Sequence, residues 1–264
     1  MFKLRDWVKT EDLNWITLSS NPRAIKMLEE NPDKISWHFL SSNPEAIHLL
    51  EANLDKVGWE MLSLNPAAIH LLEKHPKKIN WENLCGNPGA IHLINKEYKR
   101  RYWFSKLNWS ALSTNPAAIH LLEANPKKIN WIPLSFNPKA IKLLEANQDK
   151  IEWSILSLNP GALKLLKANL DKVDWYNLST NPAAIDLIEE KVEINWGFLK
   201  NPAAIHLIEK KLDKLDSMDW ITLSSNPSIF EYDYKAMKRP FTEELMQNRF
   251  HPRNIDKFEG WNHD

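Results

Sequence analysis

The chain has 264 residues, with 34 Lys plus Arg against 34 Asp plus Glu. This balance leaves no global basic field to hold a nucleic-acid backbone and no acidic tail. Its 43% hydrophobic content is enough for a folded core and argues against disorder by composition. One cysteine, Cys85, excludes an internal disulfide framework and fits a reducing compartment. The first residues, MFKLRDWVKT, hold no apolar run of signal-peptide length, and no stretch approaches 18 apolar residues. An intracellular, soluble protein is the expectation.

In chain order, residues 1–13 carry Asp6-Trp7, which reads as a worn half-unit and an N-terminal cap. From residue 14 a repeat takes over. Trp recurs at 15, 37, 59, 81, 109, 131, 153, 175, 196 and 220, mostly at intervals of 22. An Asn-Pro pair follows each one, from Asn21-Pro22 and Asn43-Pro44 to Asn201-Pro202 and Asn226-Pro227. The consensus is W-x-x-L-S-x-N-P-x-A-I-x-L-L-E-x-N-P-x-K-I-N, and about ten copies fill residues 14–228.

Each unit reads as two short helices. The first is capped by the residue before Trp (Asn14, Ser36, Gly58, Asn80, Asn108, Asn130, Glu152, Asp174, Asn195 or Asp219), mostly of side-chain N-cap type. Trp15 and Leu18 are three apart and both point inward. The second starts at Asn21, with Pro22 at its first position, and carries Ala24, Ile25 and Leu28 on one face. Asn31 and Pro32 are expected to end it, through a left-handed exit and a blocked continuation. One unit buries too little apolar surface to stand alone, so the units must stack. The expected fold is all-α: an α-solenoid of about ten 22-residue, two-helix repeats with a non-repeat helical C-terminal cap. With helices about 10 Å apart, this gives an elongated, curved body about 100 Å long. The ends differ from the middle, as solenoid caps should. Residues 229–264 form the cap and tail, with a helix expected around Pro240–Met246.

At this point the chain resembles a family. The W-x-x-L-S-x-N-P-x-A-I-x-L-L-E repeat is similar to that of tandem-repeat proteins of large nucleocytoplasmic DNA viruses. The ending E-E-L-M-Q-N-R-F-H-P-R-N-I-D-K-F resembles theirs too, with Glu244, Leu245, His251-Pro252, Ile255 and Lys257 in register. The resemblance spans essentially the whole chain. It implies a viral origin, and hence the cytoplasm of the infected host cell or the virion, but no biochemical activity.

Four features are candidates for function. Residues 95–108 insert six residues between the fourth and fifth units and interleave cations with aromatics: Lys99, Arg100, Arg101, Tyr102, Trp103 and Phe104. That pattern suits phosphate contact with base stacking, or a protein-docking patch. An extended helix packed on the solenoid is the structural alternative. His48, His70, His92, His120 and His206 share one outward repeat position. They are too far apart for one metal, and a solvated column is favoured. A glutamate column (Glu29, Glu51, Glu73, Glu123, Glu145, Glu189, Glu209) and a lysine column (Lys34, Lys56, Lys78, Lys128, Lys150, Lys172) suggest ion pairs between units.

The fourth feature is the variable pair after each Trp, which includes His38-Phe39 and Tyr176-Asn177. A fixed framework around a changing pair resembles repeat proteins that read a linear partner, and drift at exposed positions is the alternative. No Gly-rich phosphate loop, nucleophile-base set or metal-ligand spacing is present. No cofactor or metal is read, and Cys85 stands where most units have Ser. The expected function is a non-enzymatic protein–protein interaction scaffold with a viral or host protein partner. The alternative is single-stranded RNA binding through the insertion and the variable pairs. A membrane partner is not expected.

Overall fold

A computed structural model describes residues 2–99, 107–189, 196–234 and 236. The repeat is helical throughout, as read. In the third unit Trp59–Leu62 forms a short α-helix, Pro66–Ala68 a 3-10 turn, Ile69–Lys74 a second α-helix and Pro76–Lys78 another 3-10 turn. Asn65 is extended and its side-chain oxygen accepts from the amide of Ala67, while Pro66 takes the first helical position. Leu62, Ala68 and Leu72 are fully buried, and their equivalents join one core that runs through the stack.

Three local expectations are corrected. Asn31 does not take a left-handed exit: its φ is -134 and ψ 61. Its side-chain amide instead donates to the carbonyl of Met27 at 2.9 Å, doing what a left-handed backbone amide would do, and Asn53, Asn125, Asn147 and Asn169 repeat this. Pro32 opens the next 3-10 turn, Pro32–Lys34, rather than stopping the chain.

The residue before Trp caps through its side chain at Asn14, Asn80, Asn108 and Asp174, but not at Ser36 or Asn130. Its constant bond is to the backbone. The Ser36 amide donates to Ser19 Oγ of the preceding unit, and the pairs Gly58–Ser41, Asn80–Ser63, Asn130–Ser113, Glu152–Ser135 and Asp174–Ser157 repeat this. The ninth unit has no serine there. The tenth is capped instead by its own Asp216–Asp219 box, so Asp219 is not the cap residue.

Between units runs a ladder of buried asparagines. Asn43 Nδ2 donates to the carbonyls of Ser19 and Asn21, at 3.1 and 3.0 Å. Asn65, Asn87, Asn115, Asn137, Asn159, Asn181, Asn201 and Asn226 each donate to two carbonyls of the unit before in the same way. The insertion at 95–108 does not interrupt it, since Asn115 reaches Cys85 and Asn87.

The ladder has no free end. Asn21, in the first unit, donates to the carbonyls of Ser224 and Asn226, in the last. The Asn14 amide donates to Ser224 Oγ, and Thr17 Oγ1 to the Ile221 carbonyl. The solenoid is therefore a closed ring of ten units, not the elongated body expected.

Among the described residues the two ends of the chain meet at this joint. Phe2–Leu4 pairs antiparallel with Phe230–Tyr232 across the joint. Arg5 holds Glu209 at 2.8 Å and the Ser228 carbonyl, Trp7 Nε1 donates to Glu209, and Arg23 reaches the carbonyls of Pro227 and Phe230. The tail thus begins as a strand. The helix expected at Pro240–Met246 lies outside the described residues.

The closure follows from the wedge shape of the unit. Trp helices of neighbouring units bond directly, as Asn83 Nδ2 to the Glu60 carbonyl and Asn177 Nδ2 to the Ser154 carbonyl. Asn-Pro turns are in backbone contact: a Cβ on Gly161 would meet the Pro138 oxygen at 2.7 Å. The second helices are joined by long side chains, His48 to Glu29 at 2.8 Å and its repeats. The closely spaced elements take the short inner circumference and the widely spaced helices the outer one.

Candidate interaction surface of the ring

On the outer side the histidine, glutamate and lysine columns pair differently from the sequence expectation. Four histidines meet the glutamate of the preceding unit: His48–Glu29, His70–Glu51, His92–Glu73 and His206–Glu189. The exception is His120, which meets Asn95. Four of the lysines turn to tryptophan instead. Lys34, Lys56, Lys150 and Lys172 lie 4.3–4.8 Å from the ring centroids of Trp15, Trp37, Trp131 and Trp153 of their own units. The physical reason is reach: Lys34 ends the 3-10 turn Pro32–Lys34 close to Trp15, whose ring face attracts the ammonium. Among the described residues no group of three or more ligands could hold a metal.

The variable pair after each Trp splits into two roles. The first residue is open to solvent in several units: Ile16 is 53% exposed, Ile132 58% and Tyr176 60%. The second often serves the ring, as Thr17, Asn83 and Asn177 do by bonding a carbonyl of the preceding unit. Of the sequence candidates, Tyr176 is an open surface residue and Asn177 is a structural one. His38 is exposed and half-covers Phe39, their rings 5.4 Å apart and edge-on.

Lys99 ends the helix Ile91–Tyr98, lengthened by the start of the insertion. That helix packs on the stack, with the Tyr98 hydroxyl accepting from Asn125. Arg100, Arg101, Tyr102, Trp103 and Phe104 lie outside the described residues.

A second variable column went unread in the sequence: the residue just before each ladder asparagine. It runs Ser20, Ser42, Leu64, Gly86, Thr114, Phe136, Leu158, Thr180, Lys200 and Ser225. Leu64 and Phe136 are exposed. The signal was available, since this is the variable position of S-x-N between two constant ones.

The two columns meet in a cleft of about 410 Å³ lined by Leu158, Tyr176, Asn177, Thr180, Leu199, Lys200, Asp219 and Thr222. These residues come from four successive units, so the surface carrying them is concave. A second cavity, of about 240 Å³, lies at the joint, where Arg23 sits 5.0 Å from the centre of the Phe2 ring.

Cys85 is fully buried in the serine column. Burial pushes its thiol pKa up, opposed in part by the Asn108 amide that donates to it, with Glu82 adding to the rise. This is the environment of an inert thiol, not an activated nucleophile. Among the described residues no helix is long and apolar enough to cross a membrane. No family model, curated protein or solved structure matches the chain.

Proposed function

We propose that this protein is a non-enzymatic interaction scaffold, a closed ring that holds a segment of another protein against its inner wall. The observation carrying this is the set of exposed apolar side chains, Ile132, Phe136 and Tyr176, at the two repeat positions whose members line the cleft. Folded chains do not leave large apolar groups clustered in a concavity without use. With ten inner helices about 8–10 Å apart, and helix plus side-chain radii of about 5–6 Å, the opening is about 15–20 Å across. It admits an extended peptide or one helix.

The resemblance of the repeat to viral tandem-repeat proteins favours a host or viral partner in the infected cell. RNA is the weaker reading. The wall in these units presents Ile132, Pro133, Phe136, Leu158 and Tyr176 with no cation among them, and the chain is neutral overall.

A photo-crosslinking amino acid at Tyr176 tests the proposal against the same probe at the outer Glu73. Specific protein adducts are expected from the inner position alone. Equal adducts from both sites would overturn it. So would salt-dependent retention of single-stranded RNA that is lost on changing Lys99, Arg100 and Arg101 to Glu, with no protein adduct.

A further inference from the structure

We infer that the cleft between the seventh and tenth units recognises an extended peptide segment in which an apolar side chain is followed, about three residues later, by an Asp or Glu. This deepens the scaffold reading and rests on it. The column before the ladder asparagines is uncharged in nine of the ten units and cationic only at Lys200.

The cation is there because the ninth unit is short. Asn181 to Asn201 spans 20 residues, the serine is lost, and Lys200 follows Leu199 directly onto the wall. Lys200 is exposed and makes no ion pair with any of the described residues. Its acidic neighbour in the cleft, Asp219, spends one oxygen on the Asp216 amide as a helix cap.

Beside Lys200 lie the exposed ring of Tyr176, one unit back, and Leu158, two units back. The site therefore offers an apolar shelf, then one ammonium, with the hydroxyls of Thr180 and Thr222, which donate within their own helices, left to accept from peptide amides. Apolar side chain and carboxylate are its complements. The spacing follows from geometry: an extended chain rises about 3.3 Å per residue and neighbouring units stand about 8–10 Å apart, so one unit corresponds to about three residues.

Dye-labelled peptides, acetylated and amidated so that no terminal charge competes, test this by fluorescence anisotropy on the full chain. The reference peptide carries Phe three residues before Glu. Lys200→Glu, at an exposed site, is expected to weaken it at least tenfold and to favour the peptide with Lys in place of Glu. Tyr176→Ala is expected to weaken both peptides. Circular dichroism confirms that each variant folds.

Reference binding unchanged within twofold by Lys200→Glu, or equal binding with Phe and Glu adjacent, overturns the assignment. If such binding is lost on Ile132→Asp, the scaffold reading still stands. Failure of apolar, acidic and basic peptides alike to bind overturns both.

Discussion

Ring closure can be tested with two alanine substitutions. Asn21 and Asn115 are both fully buried and make the same three bonds. Asn115 donates to the Cys85 and Asn87 carbonyls and accepts from the Ala117 amide. Asn21 donates to the Ser224 and Asn226 carbonyls and accepts from the Arg23 amide. In a closed ring, Ala at either site strands the Ser224 or Cys85 carbonyl and one amide, and takes one of two donors from the Asn226 or Asn87 carbonyl, which keeps the Ile229 or Ala90 amide. At about 1–3 kcal/mol for each stranded group, with carbonyls at the low end because their second lone pair stays available, each substitution costs about 3–5 kcal/mol. That is a large part of the whole stability of a typical domain, about 5–15 kcal/mol. In an open solenoid Asn21 would be a terminal residue facing water. Its loss would then cost only a helix cap, about 1 kcal/mol. Urea unfolding followed by tryptophan fluorescence measures both. Equal large losses are expected. A loss of about 1 kcal/mol for Asn21→Ala beside a severalfold larger one for Asn115→Ala would refute the closed ring.

Cys85→Ser restores the hydroxyl of the column and should be neutral to mildly stabilising at pH 7. Because burial raises the folded thiol's pKa, the thiol's contribution is complete below the unfolded thiol's pKa of about 8.5 and is lost as pH rises past it. Unfolding at pH 7 and pH 10 should therefore show a steeper decline for the parent protein than for Cys85→Ser. Lys150→Met removes the ammonium over Trp131 and should cost about 0.5–1 kcal/mol, with a change in tryptophan emission. Phe2 pairs with Tyr232, so a short Gly-Ser linker from Tyr234 to Phe2 makes a circular permutant possible. Opened within 100–106, it should fold with a circular dichroism spectrum like the parent's, whereas an open solenoid could not bear that link.

The part of the Asn-Pro motif that acts within three residues was legible. Asn as cap and Pro at the first helical position follow from local chemistry, and the Asn65–Ala67 bond is what that chemistry requires. The other half was hidden, although a clue was present. A cap alone is served by Ser, Asp or Thr, yet all ten positions are Asn. Only an amide can accept from its own turn while donating twice to a neighbour. The serine column carries the same message, because Ser19 Oγ donates to the Trp15 carbonyl and accepts from Ser36. The charge columns show the limit of repeat logic. Periodicity reveals that Glu29 and Lys34 recur, but not that the glutamate meets His48 of the next unit while the lysine stays on Trp15. Pairing depends on the offset between neighbours, which no single unit encodes. The tract Phe136, Leu158, Thr180, Lys200 becomes a candidate site only once the stacking makes these residues neighbours.

Curvature was hidden for the same reason, yet closure explains the chain ends better than capping does. An open stack would leave the Ser224 and Asn226 carbonyls at one end and the Asn21 amide at the other. Each would need a polar cover. Here these groups satisfy one another, and the N-terminal arm crosses the joint instead of covering an end: Arg5 and Trp7 both reach Glu209, and Phe2–Leu4 pairs with Phe230–Tyr232. The arm fastens the tenth unit to the first, where no covalent connection exists. It also explains why Glu209 departs from its column. In the four paired units the equivalent glutamate holds the histidine of the unit that follows. Glu209 lies in the ninth unit, and the tenth has Glu231 where the histidine would stand, so Glu209 turns to the arm. The irregular ends are thus parts of the ring's one noncovalent joint, and the lengths of the insertion and the shortened unit are tolerated because both leave the asparagine ladder in register.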